Sequence, residues 1–248
     1  MVDYQQYREF ALEVARTQDL LRIVPKNRQT VLDIGARDGH FSKLLTEHFA
    51  SVTALDLKKP SFDFPKIVSV AGDVRKLDFP DNAFDCVFCT EVLEHIPEVE
   101  QACREIIRVA RHEIVIGVPF QQDIRVGRTT CGSCGRVNPP WGHVNSFNER
   151  TLSVLFSGLR LLSKSFVGTS REATNPFSMY LMDFAGNPWA NYEDHLECIY
   201  CGAGLVCRQE QRTLVSKICS KVAHSINRLQ TMVTRPHGCW IHLVFEKS

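Results

Sequence analysis

VLDIGARDGHFS (31–42) is the stretch that decides the fold. The apolar run QTVLDI (29–34) delivers Asp33 to the end of a strand, and Gly35 and Gly39 then turn the chain sharply into a helical stretch, HFSKLLTEHF (40–49). A strand that enters a glycine-containing turn and then a helix puts that turn at the carboxyl edge of an open α/β sheet, where such sheets bind their ligands. Outward from this point the chain keeps alternating. SVTALDL (51–57), KIVSVAG (66–72), FDCVFCT (84–90) and HEIVIGVPF (112–120) are short and nearly all apolar, and a helical stretch, PEVEQACREIIRVA (97–110), precedes the last. Runs of that kind are strands buried on both faces. With helices between them they predict right-handed β-α-β units, an α/β fold with a parallel sheet and helices on both faces.

The flanks extend this frame. Tyr7, Phe10, Ala11, Val14 and Leu21 recur at helical spacing and predict an amphipathic helix that ends before Pro25. After Pro119 the rhythm breaks: residues 121–146 are rich in Gly, Pro, Cys, Arg and Asn and read as a loop or lid. NERTLSVLFSGL (148–159) and LRLLSKSFVGT (159–169) restore a helix and a strand, and a second irregular stretch, 170–208, follows. Val215, Ile218, Val222, Ile226, Leu229 and Val233 then mark an amphipathic helix whose basic residues, Lys217, Lys221, His224 and Arg228, are expected to form its solvated face, against the alternative of contact with a membrane or an anionic partner. GCWIHLVFEKS (238–248) is the closing strand. The chain is thus expected to be one domain over 1–248: an N-terminal helix (1–28), a core (29–120), insertions at 121–146 and 170–208, and a C-terminal helix and last strand (209–248).

Composition sets limits on partners. The 248 residues are 44% apolar and 23% charged, with a formal net charge of +1, so the chain as a whole has no field to hold a nucleic acid or an anionic surface. The polar start MVDYQQYREF carries no apolar signal core and no run is long enough to span a bilayer, so a cytoplasmic location is expected. The ten cysteines are accordingly read as thiols or metal ligands rather than disulfides.

The loop at 35–39 argues against a nicotinamide enzyme, because it lacks the third glycine of G-x-G-x-x-G and has Arg37 where a second glycine belongs. Asp56, in ALDL at the end of the second strand, is placed to accept hydrogen bonds from ribose hydroxyls. GDVRKLDFPDNAFDCVFCTEVLEHI (72–96) completes the pattern. Together with VLDIGARDG and ALDL, it resembles the class I S-adenosylmethionine-dependent methyltransferases, in particular the small-molecule, type 11-like group. The resemblance implies a Rossmann-like fold with a seven-stranded, mostly parallel sheet and an antiparallel last strand. It implies that Asp33, Gly35, Arg37 and Gly39 line the methionine end of the cofactor. It places Asp56 and Leu57 at the ribose, Asp73 and Val74 at the adenine, and Glu91 beside the methionine moiety. A cationic sulfonium with an α-amino group suits such acidic and backbone groups better than it would suit a phosphate cradle.

CGSCG (131–135) and CIYCG (198–202) are two C-x-x-C-G knuckles, one in each insertion. The two-residue gap turns both sulfurs of a knuckle toward one ion, and four thiolates at tetrahedral positions make a closed structural zinc site. Cys131, Cys134, Cys198 and Cys201 are expected to hold one Zn²⁺ and so pin the lid, against the alternative of two unrelated thiol pairs or a disulfide. His195 precedes the second knuckle but is not needed as a fifth ligand. Cys86 and Cys89 lie in a strand and face opposite sides, so they read as core, while Cys103, Cys207, Cys219 and Cys239 read as apolar fillers.

Methyl transfer mainly requires alignment of the acceptor and exclusion of water, and an acidic acceptor also needs a base. His143, in NPPWGHVNSF (138–147), is the first candidate for that base, and His95, in EVLEHI, is the second. Phe120, Trp141, Tyr180 and Trp189 are candidates to wall an apolar acceptor pocket. The expected function is methyl transfer from S-adenosylmethionine to a small-molecule acceptor, a biosynthetic intermediate or a sugar. The alternatives are an RNA or protein methyltransferase, which the balanced charge disfavours, and a non-catalytic zinc-stabilised binding module. The sequence leaves a homodimer open.

Overall fold

The computed structural model describes residues 8–188, 196–205 and 212–247. In chain order they form α1 (Ala11–Ile23), β1 (Thr30–Ile34), α2 (His40–Leu45), β2 (Ser51–Asp56), β3 (Ile67–Ala71), β4 (Phe84–Thr90), α3 (Val99–Val109) and β5 (Ala110–Pro119). There follow β6 (Thr129–Thr130), β7 (Val137–Asn138), α4 (Glu149–Leu155), β8 (Arg160–Val167), α5 (Pro176–Phe184), α6 (Leu214–Val233) and β9 (Trp240–Glu246). These elements fall into two compact units. Of the described residues, a sheet unit takes 11–120, 147–168 and 238–247, and a second unit takes 8–10, 121–146, 169–188, 196–205 and 212–237. Tyr7, Trp189, His195 and Cys207 lie outside the described residues.

In the sheet unit seven strands run in the order β3-β2-β1-β4-β5-β9-β8. β1 to β5 pair in parallel, and β9 is antiparallel to both β5 and β8. The parallel sheet expected from the alternation is present, and so are the seven strands and antiparallel last strand that the resemblance implies. The period of two along each strand divides the core. Val31, Phe88, Val115 and Val244 pack with Leu20 and Val24 on one face. Leu32, Val87, Ile116 and Phe245 pack with Ala102, Ile106, Leu152 and Phe156 on the other. Each such side chain, fully buried, stabilises the fold by about 1.5–3 kcal/mol relative to exposure. Cys86 joins the first layer and Cys89 the second, as residues three apart on a strand must.

The helix after β1 is shorter than its sequence suggests. It ends at Leu45, because Thr46, Glu47 and His48 donate their N–H groups to the carbonyls of Lys43, Leu44 and Leu45. These i→i−3 bonds tighten the last turn and bring Phe49 into the core ahead of β2.

The second unit holds the hairpin β6–β7 and helices α5 and α6, which pack on each other. Asn175 caps α5 at the Ser178 N–H, with Pro176 in its first turn, and Thr213 caps α6 at the Ser216 N–H. Helix α6 differs from expectation: Val215, Ile218, Val222, Leu229 and Val233 of its apolar stripe are exposed. Its buried positions are the small residues Ser220 and Ala223. Periodicity located the stripe, but only tertiary packing settles which face of a helix meets a core.

Candidate active site

The sheet unit gathers its acidic residues at one edge because each stands at, or just after, the carboxyl end of a parallel strand. Asp33 is the penultimate residue of β1, Asp56 ends β2, Asp73 follows β3 and Glu91 follows β4. The loop between Asp33 and α2 is held against β2 by the Gly35 and Ala36 N–H groups, which both donate to the Leu55 carbonyl at 2.8 and 3.1 Å. Gly35 and Gly39 are both left-handed, and a Cβ on Gly35 would lie 2.3 Å from Val92 Cγ2. Glycine is therefore required there by space as well as by φ. Arg37 also adopts a left-handed φ of 48°, and its N–H donates to Asp56 Oδ2 at 2.9 Å. The position that lacks the customary glycine thus turns the loop in the same hand and fastens it to the expected ribose-binding carboxylate.

The four acids differ in state. Asp33 is buried, and Ser42 of α2 donates to its Oδ2 at 2.5 Å. Burial pushes its carboxyl up to about 7, the Ser42 hydroxyl opposes this, and nearby Asp56 adds to it. Asp73 is clasped by the Arg75 guanidinium at 2.7–3.1 Å and accepts from the Arg75 N–H at 2.9 Å. That clasp holds its carboxyl below the usual range. Glu91 is left-handed at φ 57°, anchored by its N–H to the Gly117 carbonyl, and its Oε1 is out of solvent reach without a hydrogen bond. Burial raises its carboxyl to about 6, against the pull of Arg16. A non-glycine residue in this region costs on the order of 1–3 kcal/mol, and such strain concentrates at functional sites. Of the remaining expected cofactor residues, Leu57 is exposed beside Asp56, while the Val74 side chain is buried in the core.

Two groups that the sequence reading did not single out complete this edge. Arg16, on α1, is buried: its Nε and Nη2 contact Glu13 Oε2 at 2.9 and 2.7 Å, and its Nη1 lies 4.0 Å from Glu91 Oε1. Its guanidinium carbon stands 5.7 Å from the Phe41 ring centroid and 5.6 Å from that of Trp240. Glu94, in the short 3₁₀ turn Leu93–His95, is wholly buried with neither carboxylate oxygen hydrogen-bonded. Burial and then the neighbouring Glu91 hold it well above the ordinary carboxylate range. Glu94 follows the apolar pair Val92 and Leu93 in EVLEHI, which is its sequence signal. Arg16 has none, because its burial depends on where α1 docks. His95, in the same turn, is exposed.

In the second unit the four knuckle cysteines come together, with every Sγ within 4.8 Å of the others. The two knuckles repeat one hydrogen-bond pattern. Cys131 N–H bonds Arg136 O and Gly135 N–H bonds Cys131 O, as Cys198 N–H bonds Ala203 O and Gly202 N–H bonds Cys198 O. Gly135 and Gly202 take matching φ values of 71° and 70°. Sulfur separations are 3.7 Å for Cys131–Cys201 and 3.6 Å for Cys134–Cys198. Four thiolates on one tetrahedral zinc with Zn–S near 2.3 Å stand about 3.8 Å apart. The donor set and spacing therefore fit that ion. Ser133 N–H and Asn138 Nδ2 point at the sulfurs of Cys131 and Cys198 at 3.4 and 3.5 Å. His143 is buried in this unit, with Nδ1 2.6 Å from Gln122 Oε1 and its ring 5.8 Å from that of Trp141. Of the aromatics expected to wall a pocket, Phe120 is a core residue of the sheet unit and Tyr180 is exposed on α5.

Comparison with known proteins agrees with this edge. Residues 32–115 match the family described as "Methyltransferase domain". The chain is 42% identical over 53 residues to the sterol 24-C-methyltransferase erg6 of Aspergillus fumigatus, covering 21% of this chain and 14% of that protein. It is 32% identical over 88 residues to the malonyl-[acyl-carrier protein] O-methyltransferase of Serratia marcescens, covering 34% of each. The chain thus spans about a third or less of these relatives' length. The crystal structure of the YcgJ protein from Bacillus subtilis superposes with a TM-score of 0.53 at 14% identity, covering 94% of this chain and 97% of that one. The family match covers residues 32–115, whereas the likeness of fold runs through nearly the whole chain. Residues 32–115 match the methyltransferase-domain family, and the chain has a Rossmann-like methyltransferase fold.

Proposed function

We propose that the protein transfers a methyl group from S-adenosylmethionine to a small-molecule acceptor, and that a structural zinc holds its four knuckle cysteines together. The observation that carries the first part is the convergence of Asp33, Asp56, Asp73 and Glu91 on one sheet edge around a loop whose glycines leave no room for a Cβ. The fit to the cofactor is chemical: a Glu91 oxygen out of solvent reach without a hydrogen bond and a buried Asp33 make an acidic edge that suits a sulfonium and an α-amino group. When bound, S-adenosylmethionine supplies an electrophilic methyl on sulfur. Asp33, Gly35, Arg37 and Gly39 hold its methionine end together with Glu91, Asp56 and Leu57 take the ribose, and Asp73 and Val74 flank the adenine. The sterol and malonyl relatives point to a small acceptor, and the chain's balanced charge agrees.

His143 is the proposed acceptor base. Gln122 Oε1 fixes the proton on Nδ1, which leaves Nε2 as the basic nitrogen. Isothermal titration with S-adenosylhomocysteine tests the cofactor reading: folded wild-type protein that takes up none overturns it. His143→Ala is expected to keep that affinity while turnover falls by about 10²–10⁴-fold, the usual worth of a general base. Unchanged turnover removes His143 from this role.

Arg16 acts on the same edge as a positioning residue. It opposes the burial that raises Glu91, while Glu13, Glu94 and the Trp240 indole also face this group and Arg37 adds its charge. Arg16→Met is expected to raise the pH at which S-adenosylhomocysteine affinity reaches half its maximum above the wild-type midpoint, because it removes the charge that favours ionised Glu91. Arg16→Lys should restore part of the shift. Superimposable pH profiles for wild type and Arg16→Met exclude the coupling.

A further inference from the structure

Helix α6 of the second unit is turned inside out relative to an ordinary packed helix. Its inward positions are small or polar, and hydrogen bonds hold them: Ser216 Oγ donates to the Ala185 carbonyl at 3.1 Å, Thr174 Oγ1 to Asn227 Oδ1 at 2.8 Å and Asn175 Nδ2 to Gln230 Oε1 at 2.9 Å. At about 100° per residue, Leu214, Ile218, Val222, Leu229 and Met232 fall within one arc of roughly 100° on the outer side. All five are exposed, Leu229 by 65% and Met232 by 69%. Val215 and Val233 border the same arc and are exposed as well.

Two further features adjoin this stripe. Lys217, Lys221 and Arg228, with His224, line one border of the arc, and residues 214–233 contain no Asp or Glu. On α5, which packs against α6, Phe177, Tyr180 and Phe184 recur at helical spacing and are 60–66% exposed. Contiguous exposed apolar surface of this kind is uncommon on a free soluble surface and marks an interaction site.

We propose that α5 and α6 form a docking surface for an anionic phospholipid membrane, with α6 lying in the interface plane. The charge pattern selects this occupant. An aliphatic stripe edged by lysines and arginine without a single acid is the composition of an interfacial helix, whose apolar side enters the acyl boundary while the cations meet phosphate headgroups. The aromatic side chains of α5 suit the same depth. A second copy of the chain would instead bring an identical basic border to this stripe, with no acid on α6 to meet it. No described helix is long and apolar enough to cross a membrane, so the contact is with its surface. The inference stands apart from the methyl-transfer reading, since it uses no residue of that site.

Vesicle flotation of the full chain tests it, using phosphatidylcholine vesicles with and without about 30 mol% phosphatidylserine. Wild-type protein is expected to float with the anionic vesicles and to be released by salt. The double variant Ile218→Glu/Leu229→Glu should partition at least about 100-fold less, because two apolar side chains are replaced by buried charges. Lys217→Gln/Lys221→Gln should lose about 30-fold, on anionic vesicles only. These positions are exposed, so circular dichroism and Tm should match wild type. The proposal is overturned by wild-type protein that ignores anionic vesicles, or by flotation that the Ile218→Glu/Leu229→Glu variant retains. It is equally overturned by a dimer that this variant dissolves while no vesicle binding is seen.

Discussion

Cys198→Ser should cost the protein its zinc and much of the stability of the second unit: one zinc per wild-type chain by elemental analysis, and close to none in the variant. The expected loss is large because the apolar cluster around the knuckles is small among the described residues. That cluster consists of Cys131, Cys198 and Leu205, with Leu196 and Ala203 packed against them. Zinc binding to four-ligand peptide sites contributes about 10–16 kcal/mol, most of which appears as folding free energy. Three thiolates and a hydroxyl bind far more weakly, so the variant should be destabilised by at least about 3 kcal/mol and should be cut by protease near the knuckles at concentrations that spare wild type. Removal of the metal by a chelator should reproduce both effects. Wild-type metal content in Cys198→Ser would show that the four cysteines do not share an ion.

Asp33→Asn is expected to stabilise the ligand-free protein at alkaline pH while weakening cofactor binding. Burial pushes the Asp33 carboxyl up to about 7 from an ordinary 3.8, so the native state holds the proton more tightly than the unfolded chain does. That contribution is complete below about pH 4 and is lost as pH rises through 7. The full shift corresponds to about 4 kcal/mol, of which relaxation and water entry leave roughly 2. An amide can still accept the Ser42 hydroxyl and carries no charge to desolvate. At pH 8 the variant should therefore melt about 4–8 °C above wild type, with little difference at pH 4. S-adenosylhomocysteine should bind about 10–100-fold more weakly, the worth of one charge-assisted hydrogen bond. A variant that melts with wild type at both pH values would show that Asp33 carries no buried charge.

The sequence by itself determined those features that depend on local pattern. The burial of β1, β4 and β5 on both faces is written in nearly continuous apolar runs. The turn at 35–39 is written in glycines whose φ no other residue adopts cheaply, and the knuckles in a C-x-x-C-G spacing that closes on itself within five residues. These signals survive because each is set by neighbours along the chain. Only the tertiary structure decided the charge environment of the edge, where Arg16 arrives from a helix about 75 residues away in sequence and Glu94 loses its water to packing. It also decided the direction of α6. Periodicity shows that Ile218, Val222 and Leu229 share a face, but whether that face finds a core depends on what stands opposite it, and here the hydrogen-bonding residues of the other face turn inward.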